Sequence, residues 1–183
     1  MDEHLTGKLL IADPFLKDPS FKRSVVFLCE DKEEGSFGFV LNRKFEQPLS
    51  EILEGAEDSP LPVYYGGPVQ IDTLHYLHLC PDLIPGGIEV VDGIYWGGDF
   101  EIVVDLVKAN ALTAKDIRFF IGYSGWSEGQ LAEEMKIKSW ITSEGNRKLV
   151  FTNHVDDTWK KALKQLGGEY VQMVNYPIDP QLN

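Results

Sequence analysis

Apolar residues fall in short runs punctuated by Gly, Pro and charged residues, and the period within the runs changes along the chain. Leu9 to Ala12, Val25 to Glu30, Phe37 to Leu41, Val63 to Tyr65, Leu74 to Leu79, Ile88 to Val90, Ile117 to Ile121 and Leu149 to Phe151 are rich in β-branched and aromatic residues between turn formers, so each is predicted to be a strand. The connection Asp31-Lys32-Glu33-Glu34-Gly35 is charged and ends in Gly, which predicts an exposed hairpin loop with one residue at positive φ. Helical spacing begins at Phe100, Val103, Val104 and Val107 behind Asp99 as N-cap. A second helix is expected after Trp126, where Ser127 and Gln130 have capping-box spacing and Leu131 and Met135 lie one turn apart. A third runs from about Asp157 to Leu166 with Trp159, Ala162, Leu163 and Leu166 inward, ending at Gly167-Gly168. Strands gather early and helices late, which argues for an α+β domain rather than a regular βαβ series.

Nothing in the 183 residues divides the chain, so residues 1–183 are expected to form one domain. Lys and Arg number 17 against 29 Asp and Glu, a net charge of -12, which opposes direct binding to nucleic acid or anionic lipid. No early apolar run is long enough to span a bilayer, so no membrane association is expected. Cys29 and Cys80 lack Cys-x-x-Cys spacing, and a reducing cytoplasm is the expected compartment.

Chemistry is sparse. Gly66-Gly67, Gly86-Gly87, Gly97-Gly98 and Gly167-Gly168 lack the Lys-Ser/Thr or G-x-G-x-x-G context of a phosphate loop and read as turn glycines; no cofactor is implied. Gly122-Tyr123-Ser124-Gly125-Trp126 sits where a hydrolase nucleophile elbow would lie, but Trp126 replaces the second required Gly. His75 and His78 have H-x-x-H spacing, yet positions i and i+3 of a strand face opposite sides, so no metal site is expected. Cys29 precedes Glu30 and Asp31, whose charges raise a thiol pKa; a reactive Cys29 would require a cation such as Arg23 nearby.

Taken in order, Gly7-Lys8-Leu9-Leu10-Ile11-Ala12-Asp13-Pro14, Phe21-Lys22-Arg23-Ser24-Val25-Val26 with Cys29-Glu30, Gly38 with Leu41-Asn42-Arg43, Gly66-Gly67-Pro68-Val69, and Gly122-Tyr123-Ser124-Gly125-Trp126 leading to Gly129-Gln130-Leu131 and Glu133-Glu134 resemble the YqgE/AlgH family of bacterial proteins. Trp140 and the closing Asn175-Tyr176-Pro177-Ile178-Asp179-Pro180 add to the likeness. The resemblance implies a bifurcated mixed sheet that includes a small closed barrel and is surrounded by helices; it implies no established catalytic activity. This chain departs from many relatives at Asp31, where they carry His, and at Ser124, where they carry Ala.

These readings favour a non-enzymatic regulatory domain that binds a small ligand or a protein. The candidate surface joins Arg23, Ser24 and Asn42 to Tyr123, Trp126 and Gln130, with Glu134 sharing the polar edge of Gln130. Against it, Ser24 and Asn42 can satisfy backbone groups at strand ends, Gln130 can complete a cap, and Trp126 can be core. The rival reading is a hydrolase or transferase using Ser24, Ser124 or Cys29 with Glu134 as base. A third is protein recruitment through an apolar patch near Trp96 or Trp126.

Overall fold

The computed structural model describes residues 4–178; Asp179 and Pro180 of the closing block lie outside them. The strands are β1 (Lys8–Ala12), β2 (Val25–Lys32), β3 (Gly35–Val40), β4 (Val63–Tyr65), β5 (Val69–His78), β6 (Ile88–Val91), β7 (Ile94–Trp96), β8 (Ile117–Ser127) and β9 (Trp140–Glu144). The helices are α1 (Leu49–Ile52), α2 (Phe100–Lys108), α3 (Gln130–Lys136), α4 (Arg147–Val150), α5 (Thr158–Leu166) and α6 (Tyr170–Met173). The strands run in the order β6-β7-β5-β8-β3-β2-β1-β9, with β4 added to β8.

Two-sided burial explains the apolar runs. Along β2, Val25, Phe27 and Cys29 pack with Leu9, Ile11 and Phe39 beneath Trp159, Ala162 and Leu163 of α5. The alternate residues Val26 and Leu28 pack with Leu10, Val40, Trp126, Leu131 and Trp140 on the other face. A strand buried on both sides reads as a continuous apolar run instead of an alternating one. A third cluster forms where Ile117, Phe119 and Ile121 of β8 meet Val63, Tyr76, and Val103 and Val107 of α2. The Asp99 cap accepts from the Ile102 amide at 3.3 Å as its position predicts, but Phe100 is turned out to solvent.

The sheet forks along β8. Its first half pairs parallel with β4, Val63 opposite Phe119, and its second half pairs antiparallel with β3, Gly38 opposite Ser124; β5 occupies the other side. At the fork two backbones cross in contact. A Cβ on Gly67 would lie 2.2 Å from the Tyr123 carbonyl carbon, and one on Gly122, at φ 68°, would lie 2.4 Å from the Gly67 oxygen. Gly66-Gly67 is therefore a crossing point, which explains these glycines more completely than a turn does.

Several expectations are corrected. Strand β8 continues through Gly122 to Ser127, so no strand-to-helix elbow presents Ser124. Strands β7 and β9 are present in addition to those predicted. Leu149 to Phe151 is not a strand: Asn146 caps α4 by accepting from the Leu149 amide at 3.0 Å, and the Arg118 guanidinium, itself buried, donates to Val150 O at 2.8 Å and to Thr152 O. Capping at both ends makes a single helical turn the cheaper way to bury Leu149 and Val150. The sheet is an open curl and not a closed barrel. Its end strands β6 and β9 share no ladder; Arg147, just past β9, spans to the turn after β6 through its amide, which donates to the Asp92 carboxylate, and its Nε, which donates to Asp92 O at 2.5 Å.

Candidate functional site

The sequence-derived candidates fall into three places. Glu134 is a polar hub between α3, β8 and β9. One of its carboxylate oxygens accepts from both the Trp126 and the Trp140 indole N–H groups, at 2.9 and 2.8 Å, and the other accepts from the Gln130 amide at 3.1 Å. Gln130 in turn accepts from the amide and hydroxyl of Ser127 at 3.1 and 3.3 Å. The capping box is thus half formed: the glutamine reaches back as predicted, while Gly129, at φ 73°, holds the N-cap position. With three donors on its two oxygens, Glu134 orders Trp126, which is only 5% exposed and belongs to the core.

Tyr123 and, on the same strand, Trp126 line a recess of about 720 Å³ between β3, β5, β7 and β8. Phe37 forms its floor, with ring centroids 4.8 Å from Trp96 and 6.2 Å from Tyr123. His75 projects from β5 between Phe39 and Tyr123, 5.4 and 5.8 Å away. Burial pushes its imidazole below the ordinary pKa, and its Nε2 is enclosed without a hydrogen-bond partner among the described residues. Glu30, Lys32 and Glu34 form the rim, where Lys32 pairs with Glu30 at 2.9 Å. Phe37 and Val69 are not singled out in the sequence, where His75 is weighed only as a metal ligand; the available signal for the first two is the register that sets Val69 opposite Tyr123 and Phe37 opposite Gly125, two positions further along β8.

Arg23 and Asn42 lie elsewhere, on a recess of about 500 Å³ formed with α5 and residues 174–178. Asn42 is committed to backbone: its carbonyl accepts from Val25 N at 3.0 Å and its amide donates to Arg23 O at 2.9 Å. Ser24 is fully buried and donates to Phe21 O at 2.7 Å. Both therefore serve the strand ends. Arg23, at φ 51°, places its guanidinium 4.4 Å from the centre of the Trp159 ring and donates to Tyr176 O at 2.6 Å.

The nucleophiles of the rival reading are similarly engaged. Ser124 is fully buried and donates to Gly66 O at 3.0 Å, closing the fork. Cys29 is buried, and desolvation, with a further contribution from Glu30, pushes its thiol well above its usual range. His75 and His78 lie on opposite faces of β5: His78 stacks with Tyr95 and pairs with Gly97 O at 2.9 Å. Among the described residues no cluster of three His, Cys, Asp or Glu side chains could hold a metal ion, and no helix is long and apolar enough to cross a membrane.

The family model described as AlgH-like matches residues 9–171, from β1 into α6. The chain belongs to the YqgE/AlgH family. Within it, UPF0301 proteins of Chlorobaculum tepidum and Chlorobium limicola are 43% and 42% identical, covering 97% and 100% of this chain and 95% and 97% of their own lengths. The solution structure of the AlgH protein from Pseudomonas aeruginosa superposes with a TM-score of 0.75 at 26% identity, covering 97% of this chain and 96% of that one. A crystal structure of a Corynebacterium diphtheriae protein gives a TM-score of 0.81 at 17% identity over 96% of this chain and 94% of that one, a likeness of fold. The AlgH-like match contains every residue of the aromatic recess, whereas residues 174–178, which complete the recess at Arg23, lie beyond it.

Proposed function

We propose that this YqgE/AlgH protein is a non-enzymatic, regulatory binding domain, and that the aromatic recess receives an apolar group carried by a small ligand or partner. The observation that carries this reading is the conjunction of Phe37, Trp96 and Tyr123 around one recess with His75 in its lining, whose Nε2 has no hydrogen-bond partner among the described residues. Apolar walls with one convergent polar group are the usual make-up of a ligand site. With Lys32 paired to Glu30, Glu34 leaves the rim one negative charge in excess, which favours a neutral or cationic ligand over an anionic one. Buried, internally bonded Ser24 and Ser124 and a thiol held protonated at Cys29 support binding over covalent catalysis. The net charge of -12 keeps bare nucleic acid outside the proposal, and free Cys29 and Cys80 suit action in the cytoplasm.

The test compares phenethylammonium with phenylacetate in thermal unfolding. At ten times its Kd a ligand stabilises by about 1.4 kcal/mol, a shift of roughly 3–6 °C for a chain of this length. A saturable shift with the cation, lost in Trp96→Ala, is expected. No saturable shift, or ester or phosphoester turnover that disappears in Ser124→Ala or Cys29→Ala, overturns the reading.

A further inference from the structure

The second recess has the composition of an anion site in a protein whose average field repels anions. Its central residue is held in place from several directions. Asn42 fixes the carbonyl of Arg23, and Arg43 donates to the carbonyls of Ser20 and Lys22 at 2.6 and 3.1 Å, so the preceding turn is pinned on both sides. The left-handed backbone at φ 51° is uncommon for a residue with a side chain and persists only where the surroundings enforce it. Stacking on Trp159 and the bond to Tyr176 O then fix the guanidinium.

What this arrangement omits, among the described residues, is a carboxylate within ion-pairing distance of either Arg23 or Lys160, although Asp156 lines the same recess. Acidic residues outnumber basic ones 29 to 17, yet neither Arg23 nor Lys160, which shares the recess, forms an ion pair among the described residues. Nη2 of Arg23 is used by Tyr176, while Nη1 has no hydrogen-bond partner among the described residues. Trp159 and Lys160 stand in the first turn of α5, where the helix dipole adds positive potential. Asp156 also lines the recess, which disfavours a multiply charged anion, and Val174 and Ile178 supply apolar wall.

We propose that this recess binds a small monocarboxylate with a short apolar tail. The carboxylate meets Arg23 and Lys160, and the tail lies against Val174 and Ile178. The site is independent of the aromatic recess and has the opposite charge preference.

The experiment is an NMR titration of the full chain, following the Trp159 indole and the Arg23 side chain, with sodium butyrate, n-butylammonium chloride and inorganic phosphate at constant ionic strength. Butyrate should give saturable shifts in the millimolar range; butylammonium should give none, and phosphate should bind more weakly than butyrate. Arg23→Gln should weaken butyrate by about tenfold or more and Lys160→Gln by about threefold. Since Arg23→Gln also releases Tyr176, Lys160→Gln, on an exposed helical position, keeps the test valid if the first variant unfolds. Trp96→Ala should leave butyrate binding unchanged, which separates failure here from failure of the aromatic recess. Linear, non-saturating shifts, unaltered affinity in Lys160→Gln, or tighter binding of phosphate overturns the proposal.

Discussion

Glu134 provides the sharpest test of how this structure is held together. In Glu134→Ala the indole N–H groups of Trp126 and Trp140, whose side chains are 5% and 4% exposed, lose the oxygen they share. A hydrogen bond to a charged acceptor contributes about 1.5–3 kcal/mol, and burial prevents water from replacing it in full, so the expected loss is about 3–5 kcal/mol. For a chain of this length that lowers Tm by roughly 6–20 °C. Glu134→Gln is milder: its one carbonyl oxygen can still receive both indoles, but its amide then meets the amide of Gln130, donor against donor. The expected cost is about 1–2 kcal/mol. Combining it with Gln130→Glu reverses the donor and acceptor across that contact, and the new carboxylate keeps an oxygen for Ser127, so the double variant should recover about 1 kcal/mol. Urea unfolding followed by tryptophan fluorescence reads each step. A loss under about 1 kcal/mol in Glu134→Ala, or no recovery in the double variant, would refute the shared-oxygen account.

Gly67→Ala should cost more than about 3 kcal/mol or prevent folding, because the new Cβ lands 2.2 Å from a backbone carbon of β8; a soluble variant with native melting would refute the crossing at the fork. Aromatic disulfide reagents should label the half-buried Cys80 first and reach Cys29 only on unfolding, which mass spectrometry after timed quenching will show; fast labelling of Cys29 in the native protein would contradict its burial and raised pKa. Burial lowers the folded-state pKa of His75 and His78 below their ordinary 6.5, so the unfolded chain binds more protons in that window. Their contribution to stability is complete above pH 6.5 and declines as pH falls below it, and His75→Phe should flatten the decline in Tm measured between pH 7 and 5. An unchanged slope in that variant would mean His75 is not desolvated in solution.

Local patterns along the chain determined much of the architecture. The runs at Val25 and Phe37 are marked as strands by their β-branched and aromatic residues, and the Asp99 cap and the apolar stripe of α5 mark their helices by side-chain chemistry within a few residues. Segments with weak local signals were settled by distant partners. Leu149 to Phe151 became a helical turn because Arg118, more than thirty residues away, meets its free carbonyls, and β8 ran on past Gly122 because Gly67 leaves room for the crossing. The candidate site divided for the same reason. Arg23, Asn42, Tyr123 and Gln130 stand out singly by their chemistry, but the register of β3 on β8 and the seating of α5 on the sheet decide which of them share a surface. Residue types can be read one at a time, whereas a recess exists only after chain segments far apart have packed, since its walls are the side chains that packing leaves unfilled.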